Sequence, residues 1–433
     1  MITRITVENF KSYRRAELPL GPLTLLIGTN ASGKTNVIEA IRFLSLLADG
    51  QGLDYVFVDL YREQAVIRGD ARALARDGSE TFSVGCRLDD EAVGKWSTLS
   101  LSLRPADDGM TLVSESICTD SGSEALYVVE RSTLEGMMQL TTWDEDGVPE
   151  KRRTSLLLDD SPVFTTLDSP GIYGALVARA SYLVPRRFRD RLREILFVDP
   201  VPASMRGYSF AADHVLAEDA HNLSSTLYHL REQGLSEDVL SFVRDLPEHV
   251  YNGLDFHLTD RRDVMVRLEE SFGSRSTLRD APVLSDGTLR VLAIAAAVLS
   301  VPEGSLVVLE EVDNGIHPSR AGRLLRNIRR VATERGLSIL LTSHNPALLD
   351  TLPDAAVPDV VACYRDPDEG DSRLVRLAEL VEYPELIARG PLGQLMTKGI
   401  LERTLQHRQT EEERRAEASR RASNLIDQLR RAE

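Results

Sequence analysis

The stretch Gly28-Thr29-Asn30-Ala31-Ser32-Gly33-Lys34-Thr35 constrains this chain more than any other. It fits the pattern G-x-x-x-x-G-K-[ST], and its flanks fit as well. Leu23 to Ile27 before it is a short apolar run suited to a buried strand. After it, Val37, Ile38, Ile41, Leu44 and Leu47 recur near helical spacing, which predicts a helix over 36–47. A glycine-rich loop between strand and helix curls its backbone N–H groups inward, toward phosphate oxygens, at the positive end of the helix. Lys34 is placed to reach β- and γ-phosphates, and the Thr35 hydroxyl to hold Mg²⁺. Gly28, Asn30, Gly33, Lys34, Thr35 and Asn36 are therefore candidate nucleotide-binding residues, with ATP and Mg²⁺ as the expected cofactors. Lysine is scarce in this chain (Lys11, Lys34, Lys95, Lys151, Lys398) and arginine abundant, so a lysine here is not a generic surface charge.

The chain has 433 residues, more than one ordinary core, which predicts two or more structural units. A hydrophobic content of 42% suits a globular protein. No apolar run approaches the roughly 20 residues of a membrane helix, so no membrane partner is expected. The N-terminus, MITRITVENFKSYRR, has no signal-peptide core. Cys86, Cys118 and Cys363 have no metal spacing and make no disulfide framework, so a cytoplasmic location is expected. The net charge of -16 argues against a wholly basic nucleic-acid coat but not against a local basic groove.

Along the chain, Ile2 to Val7 alternates like a strand, Asn9 to Tyr13 reads as a turn, and Ala16 to Leu20 as a further short strand. These open a mixed sheet ahead of the P-loop strand. Residues 49–70 are irregular and end in Arg68-Gly69-Asp70. Alternating runs at Thr81–Leu88, Ser97–Leu103, Leu126–Arg131 and Met138–Trp143 predict an antiparallel meander that continues the first strands. From Gly174 to Ile195 the pattern is helical. Helices are expected over 222–233 and 236–246, and a hairpin around Asp260-Arg261-Arg262. The expected division is an N-terminal half over 1–84, an inserted β-rich then helical unit over 85–270, a C-terminal half over 271–399, and a charged helical tail over 400–433.

The second half carries the remaining chemistry. Leu284-Ser285-Asp286-Gly287-Thr288 precedes a strongly apolar helix that Ser285 is suited to cap. Leu306 to Leu309 is a continuous apolar strand ending in Glu310-Glu311, followed by Val312-Asp313. Two acids at the end of a buried strand suit a Mg-nucleotide site: Glu310 to support Mg²⁺, Glu311 to accept a proton from attacking water. A further apolar run, Ile339 to Thr342, ends in Ser343-His344, and a His just past a strand is placed to donate to a γ-phosphate.

Taken in order, P-loop, insertion, Leu-Ser-Asp-Gly-Thr, strand with Glu-Glu and strand with His, the chain resembles the ABC-type ATPases of the RecF/SMC class, in particular the RecF-like and OLD-like AAA ATPases. The resemblance covers about 1–70 and 275–400, more weakly 195–233. It implies an α/β fold, an ABC-type P-loop ATPase head with a mixed β-sheet and an inserted α/β unit. It also implies a head-to-head homodimer or higher homo-oligomer, in which Ser285, Gly287 and Thr288 of one subunit contact the nucleotide of another. Glu311 and His344 are then the catalytic residues, Thr35 and Glu310 hold the metal, and Asp313 lies on the dimer-facing loop. The implied output is ATP-gated handling of a nucleic acid or an effector protein, in DNA repair or anti-phage defence. A nucleotide-loaded scaffold with incidental hydrolysis is the alternative.

The sequence departs from the family at Glu310, where many relatives have Asp, and at Val312, where many have Pro. The glutamine that links the insertion to Mg²⁺ in relatives has only Gln51 and Gln64 as candidates. Asp366-Pro367-Asp368-Glu369-Gly370-Asp371 reads as a turn rather than a nuclease metal cluster. Two segments keep two readings each. The tail, with Leu401, Leu405, Leu425, Ile426 and Leu429, is a solvated end or a docking helix. Arg186-Arg187-Phe188-Arg189-Asp190-Arg191 is a solvated helix face or a contact for nucleic-acid backbone.

Overall fold

The computed structural model describes residues 1–50, 52–60, 67–107, 109–134, 136–142, 153–158, 161–166, 179–244, 250–272, 275–312, 318–352 and 354–406. Alternation sets the first strands. In β1 (Ile2–Phe10), Ile2, Ile5, Val7 and Phe10 are buried, and in β2 (Tyr13–Pro19) Tyr13, Ala16 and Leu18 are buried. The chain then supplies β3 (Thr24–Ile27), helix α1 (Lys34–Ala48) and helix α2 (Leu53–Leu60). Six strands follow: β4 (Phe82–Leu88), β5 (Thr98–Pro105), β6 (Met110–Cys118), β7 (Ala125–Arg131), β8 (Met137–Thr142) and β9 (Arg153–Leu158).

These strands form an antiparallel sheet in the order β2-β1-β4-β5-β6-β7-β8-β9. The first two strands thus belong to the meander and not to the sheet of the P-loop strand, contrary to the expectation of a mixed-sheet opening. The boundary drawn at 84/85 falls inside β4, which pairs with β1 from Ile2↔Leu88 to Glu8↔Ser83.

The helix Arg179–Arg193 leads to β10 (Leu196–Val198) and β11 (Ser209–Phe210). Helices Leu223–Glu232 and Ser236–Val243 precede β12 (Val250–Leu258), β13 (Asp263–Phe272) and β14 (Arg275–Asp280), which with β11 make a small antiparallel sheet. The helix Asp286–Ser300 follows, then β15 (Leu306–Leu309), the helix Pro318–Glu334, β16 (Ser338–Thr342), β17 (Val360–Arg365) and β18 (Ser372–Arg376).

The P-loop sheet runs β10-β15-β16-β3-β17-β18, parallel except for the β17–β18 pair, and so is mixed. Both of its faces are covered, which is why its strands are continuously apolar. Leu25, Ile27, Val307, Leu309, Ile339 and Leu341 pack into the core that holds the helix Asp286–Ser300. Their neighbours Leu26, Leu306, Val308 and Leu340 pack into the other core, with α1 and the meander. The period of two along each strand assigns side chains to the two layers.

Residues 53–60, expected to be irregular, are helical, with Leu53 and Val56 buried. The strands β6, β9, β11, β14, β17 and β18 were not expected, and Phe197-Val198, expected in a loop, belong to β10, which pairs with β15. Phe188 is fully buried in the core, so the segment 186–191 is not a uniformly solvated face. Arg187 and Arg191 there pair with Asp90. Residues 366–371 form the β17–β18 turn, with Gly370 N–H donating to Asp366 O at 2.9 Å. Of the tail, Ile400–Gln406 is helical with Leu401 and Leu405 buried, and 407–433 lie outside the described residues. No helix among the described residues is long and apolar enough to cross a membrane.

Candidate functional site

The P-loop is shaped by contacts from the far end of the chain. A Cβ at Gly28 would fall on Cys363 O, and one at Gly33 on the Ser372 Oγ. Gly33, with φ of 120°, is also in a region that L side chains rarely adopt. Two carbonyls of the loop are engaged: Tyr13 OH donates to Gly33 O at 3.0 Å, and Ser372 Oγ to Ser32 O at 2.5 Å. Asn36 Nδ2 donates to Ser12 Oγ at 2.7 Å, tying the first turn of α1 to the β1–β2 turn. Lys34 Nζ donates to Gly28 O at 2.6 Å and Thr29 O at 3.1 Å, arching over the loop. Burial lowers its pKa from the usual lysine value, against the opposing influence of Cys363 and Glu311.

The two acids stand where β15 ends. Glu310 N–H donates to Val198 O at 3.1 Å and Glu311 N–H to Thr342 Oγ1 at 3.1 Å, so the neighbouring strands fix both backbones. Glu311 has φ of 48°, uncommon for a residue with a side chain and found most often where structure around it holds it. Glu310 accepts from Arg42 Nη2 at 3.0 Å. The same guanidinium forks onto Glu218, at 3.1 and 2.5 Å, and lies 4.3 Å from the Phe197 ring centroid. Burial works against the Arg42 charge, but Glu218 and Glu310 together hold its pKa above the usual value. Asp199 stands nearby, its pKa raised by burial and then by the charge of Glu311.

One cleft of about 460 Å³ gathers these groups. Asn30, Gly33, Lys34, Thr35 and Asn36 line it together with Glu310, Glu311 and His344. Gly28 does not line it. Sequence reasoning missed two further lining residues, Arg68 and Arg365. Arg68 Nε donates to Glu39 Oε1 at 2.8 Å, and Lys11 Nζ to Glu39 Oε2 at 2.6 Å. Burial opposes the Glu39 charge, but the bonds from Arg68 and Lys11 keep its pKa below the usual range. Arg365 Nε donates to Ala31 O at 3.1 Å. The scarcity of lysine was a usable signal for Lys11; Arg68 and Arg365 carry none in their local sequence.

Ser285, Gly287 and Thr288 do not line this cleft. Ser285 is exposed and caps its helix, its Oγ accepting from Thr288 N–H at 3.1 Å. Thr288 is buried, its hydroxyl 2.8 Å from Ser285 Oγ, which leaves Ser285 and Gly287 as the accessible part of the turn. Arg206 holds the segment just before, donating to Pro282 O at 2.7 Å, Leu284 O at 2.8 Å and Asp286 Oδ1 at 2.5 Å. Asp313, Gln51 and Gln64 lie outside the described residues.

The cleft fits the group its motif implies. Its donors to a metal are hard oxygens, the Thr35 hydroxyl and the Glu310 and Glu311 carboxylates, which suit Mg²⁺ rather than a soft metal. Its phosphate cradle is one that only glycine at 28 and 33 permits. Fold and site together define an ABC-type P-loop ATPase head.

The family models and sequence relatives agree with this class. A family model described as "AAA ATPase domain" matches residues 1–91, and one described as "AAA domain, putative AbiEii toxin, Type IV TA system" matches 178–350. The DNA replication and repair protein RecF of Streptomyces avermitilis is 37% identical over 73 residues, 16% of this chain and 20% of that protein. The OLD nuclease of Thermus scotoductus is 20% identical over 359 residues, 81% of this chain and 60% of that protein. The chain thus spans about a fifth of the length of that RecF and three fifths of that nuclease. Among solved structures, an Smc head bound to the C-winged helix domain of ScpA matches with a TM-score of 0.46 at 14% identity, over 86% of this chain and 97% of that one. By these sequence matches the chain is similar to RecF-like and OLD-like proteins with AAA ATPase domains.

Proposed function

We propose that this protein binds Mg-ATP in the cleft, closes head to head with a second copy, and hydrolyses ATP to gate a nucleic acid or effector partner. The observation that carries the reading is the convergence of P-loop, Glu310-Glu311 and His344 on one cleft, with Ser285 exposed on a turn away from it. A cleft built without its signature serine calls for that serine from another subunit.

In this mechanism Lys34 and the loop N–H groups hold the phosphates, and Asn36 keeps the first turn of α1 in register with Ser12. Thr35 and Glu310 would hold Mg²⁺, which neutralises charge developing between the β- and γ-phosphates. Glu311 takes the proton of the attacking water, its backbone fixed by Thr342. His344 donates to the γ-phosphate, and Ser285 and Gly287 of the second copy complete the site. The names of the relatives, a DNA replication and repair protein and a nuclease, support a role in DNA maintenance.

The test is the solution mass of the Glu311→Gln protein with and without Mg-ATP. Loss of a general base slows turnover by about 10²–10⁴, so the variant should hold ATP and run at twice the mass of one chain. A variant that binds ATP and stays at the mass of one chain refutes closure between copies.

A further inference from the structure

The helix Pro318–Glu334 carries a stripe of charge that the ATPase mechanism does not use. Its apolar side is fixed: Ala321, Leu324, Leu325, Ile328, Val331 and Ala332 are buried. Gly322 lies so close to Thr351 O that a Cβ there would meet it at 2.9 Å, and Asn327 Nδ2 donates to Ser241 O at 3.0 Å. With that side locked, Arg323, Arg326 and Arg330 stand exposed on the other.

The helix has five arginines and one acid, Glu334, a balance of 5 − 1 = +4 in a chain of net charge -16. Solvated helices usually pair opposite charges three or four residues apart. Here the one such pair among the described residues is Arg330–Glu334, at 2.8 Å. Arg326 instead has Arg323 three residues before it, Arg329 three after and Arg330 four after, all like-charge neighbours that destabilise a free helix. Among the described residues, Arg323 and Arg326 have no carboxylate within salt-bridge distance, and Arg329 Nη1 has no hydrogen-bond acceptor.

Arg323 and Arg326 have no internal anion among the described residues and Arg330 has only the exposed Glu334, so the row keeps a surplus of positive charge that calls for an external anion. We propose that the exposed arginine stripe Arg323–Arg326–Arg330 is a docking surface for the phosphodiester backbone of a nucleic acid. The proposal rests on the nucleic-acid arm of the function above and names the surface that would serve it. From Arg323 to Arg330 the helix rises about 10 Å at about 1.5 Å per residue. One strand of a duplex presents a phosphate about every 3.4 Å along its axis, so the stripe matches about three phosphates. Arginine's planar fork suits phosphate oxygens. The acidic remainder of the protein would repel a polyanion, which confines the contact to such a patch.

The test uses the full chain and a fluorescently labelled duplex oligonucleotide, with Mg-ATP present, titrated at several salt concentrations. Three proteins are compared: the parent, the triple variant Arg323→Gln/Arg326→Gln/Arg330→Gln, and the corresponding triple Arg→Lys variant. The parent should bind with a steep salt dependence. The glutamine variant should lose about 0.9 in the slope of log K against log salt for each contact removed, close to 2.7 in all. The lysine variant should retain the parent slope. Because all three side chains are exposed, melting temperatures should stay close to the parent's; if the triple glutamine variant melts early, each single glutamine variant should still lose about 0.9. Equal slopes in parent and glutamine variants, with the parent bound to duplex, overturn this surface and leave the nucleic-acid reading standing. A parent that binds no duplex with or without ATP overturns both. Binding of polyglutamate but not duplex, lost in the glutamine variant, overturns the proposal in favour of an acidic protein segment.

Discussion

Replacing Glu115 by glutamine should remove one component of this protein's pH-dependent stability. Glu115 lies on β6 and is buried, with Tyr127 OH on Oε1 and the backbone N–H groups of Val163 and Phe164 at 2.6 and 2.9 Å. It pins the short 3₁₀ turn at 163–165, which packs between α1 and the helix Arg179–Arg193. Burial pushes its carboxyl from an ordinary 4.5 up to about 7, and the bonds from Tyr127, Phe164 and Val163 only partly oppose this. The folded protein therefore holds a proton that the unfolded chain releases between those values. That contribution to stability is complete below pH 4.5 and is lost as pH rises through about 7. At about 1.4 kcal/mol per pH unit, the gap amounts to about 3 kcal/mol. Thermal melts of the parent and Glu115→Gln at pH 5 and pH 8 measure it. The parent should lose several degrees relative to the variant on going to pH 8. A difference in melting temperature that does not change with pH refutes the reasoning. A parent that gains on the variant as pH rises would mean that the three donors keep the carboxylate ionised.

Three further outcomes follow from the site. Arg42→Lys keeps the charge but not the fork that joins Glu218 to Glu310, so the Mg²⁺ needed for half-maximal nucleotide binding should rise about tenfold, taking about 1.5 kcal/mol for one charge-assisted bond; unchanged Mg²⁺ dependence in a titration with a fluorescent ATP analogue refutes it. Gly33→Ala should abolish nucleotide binding by more than about a hundredfold, because its Cβ would displace Ser372 and the φ of 120° strains any side chain; equilibrium dialysis with labelled ATP decides. Arg206→Ala should leave ATP affinity within about twofold and weaken the proposed ATP-driven pairing of copies, since Arg206 braces the turn at Ser285 and does not line the cleft; a sedimentation mass at saturating ATP equal to the parent's, read by analytical ultracentrifugation, would contradict this.

The elements whose burial follows their own sequence were legible. The strand Leu306–Leu309, the apolar helix after Ser285 and the P-loop flanks each carry a periodic signal that needs no partner. Elements stabilised by their neighbours were not. All six residues of β14 are exposed and owe their conformation to pairing with β13. In β6 the inward position of Glu115 interrupts the apolar alternation that marks a strand. The same holds at the site. The motif residues Lys34, Thr35, Glu310, Glu311 and His344 are found by local pattern, and the cleft brings them together. Arg42 sits in the buried stripe of α1, four residues after Ile38, where an arginine is unusual, but its partners Glu218 and Glu310 lie 176 and 268 residues away. No local rule reaches that far.

The manner in which the P-loop is held has a consequence for how the protein is made. Among the described residues the strand before the loop, β3, pairs with β16 and β17, so its ladder partners come from residues 340–342 and 360–362. Tyr13 braces the loop from the N-terminal side, but Cys363 and Ser372 close it from the other. A ribosome that has released the loop and the meander has therefore released the complete nucleotide-binding motif without the walls that give it shape. Closure of the loop has to wait until more than three hundred further residues have emerged, which ties formation of the phosphate cradle to synthesis of β18.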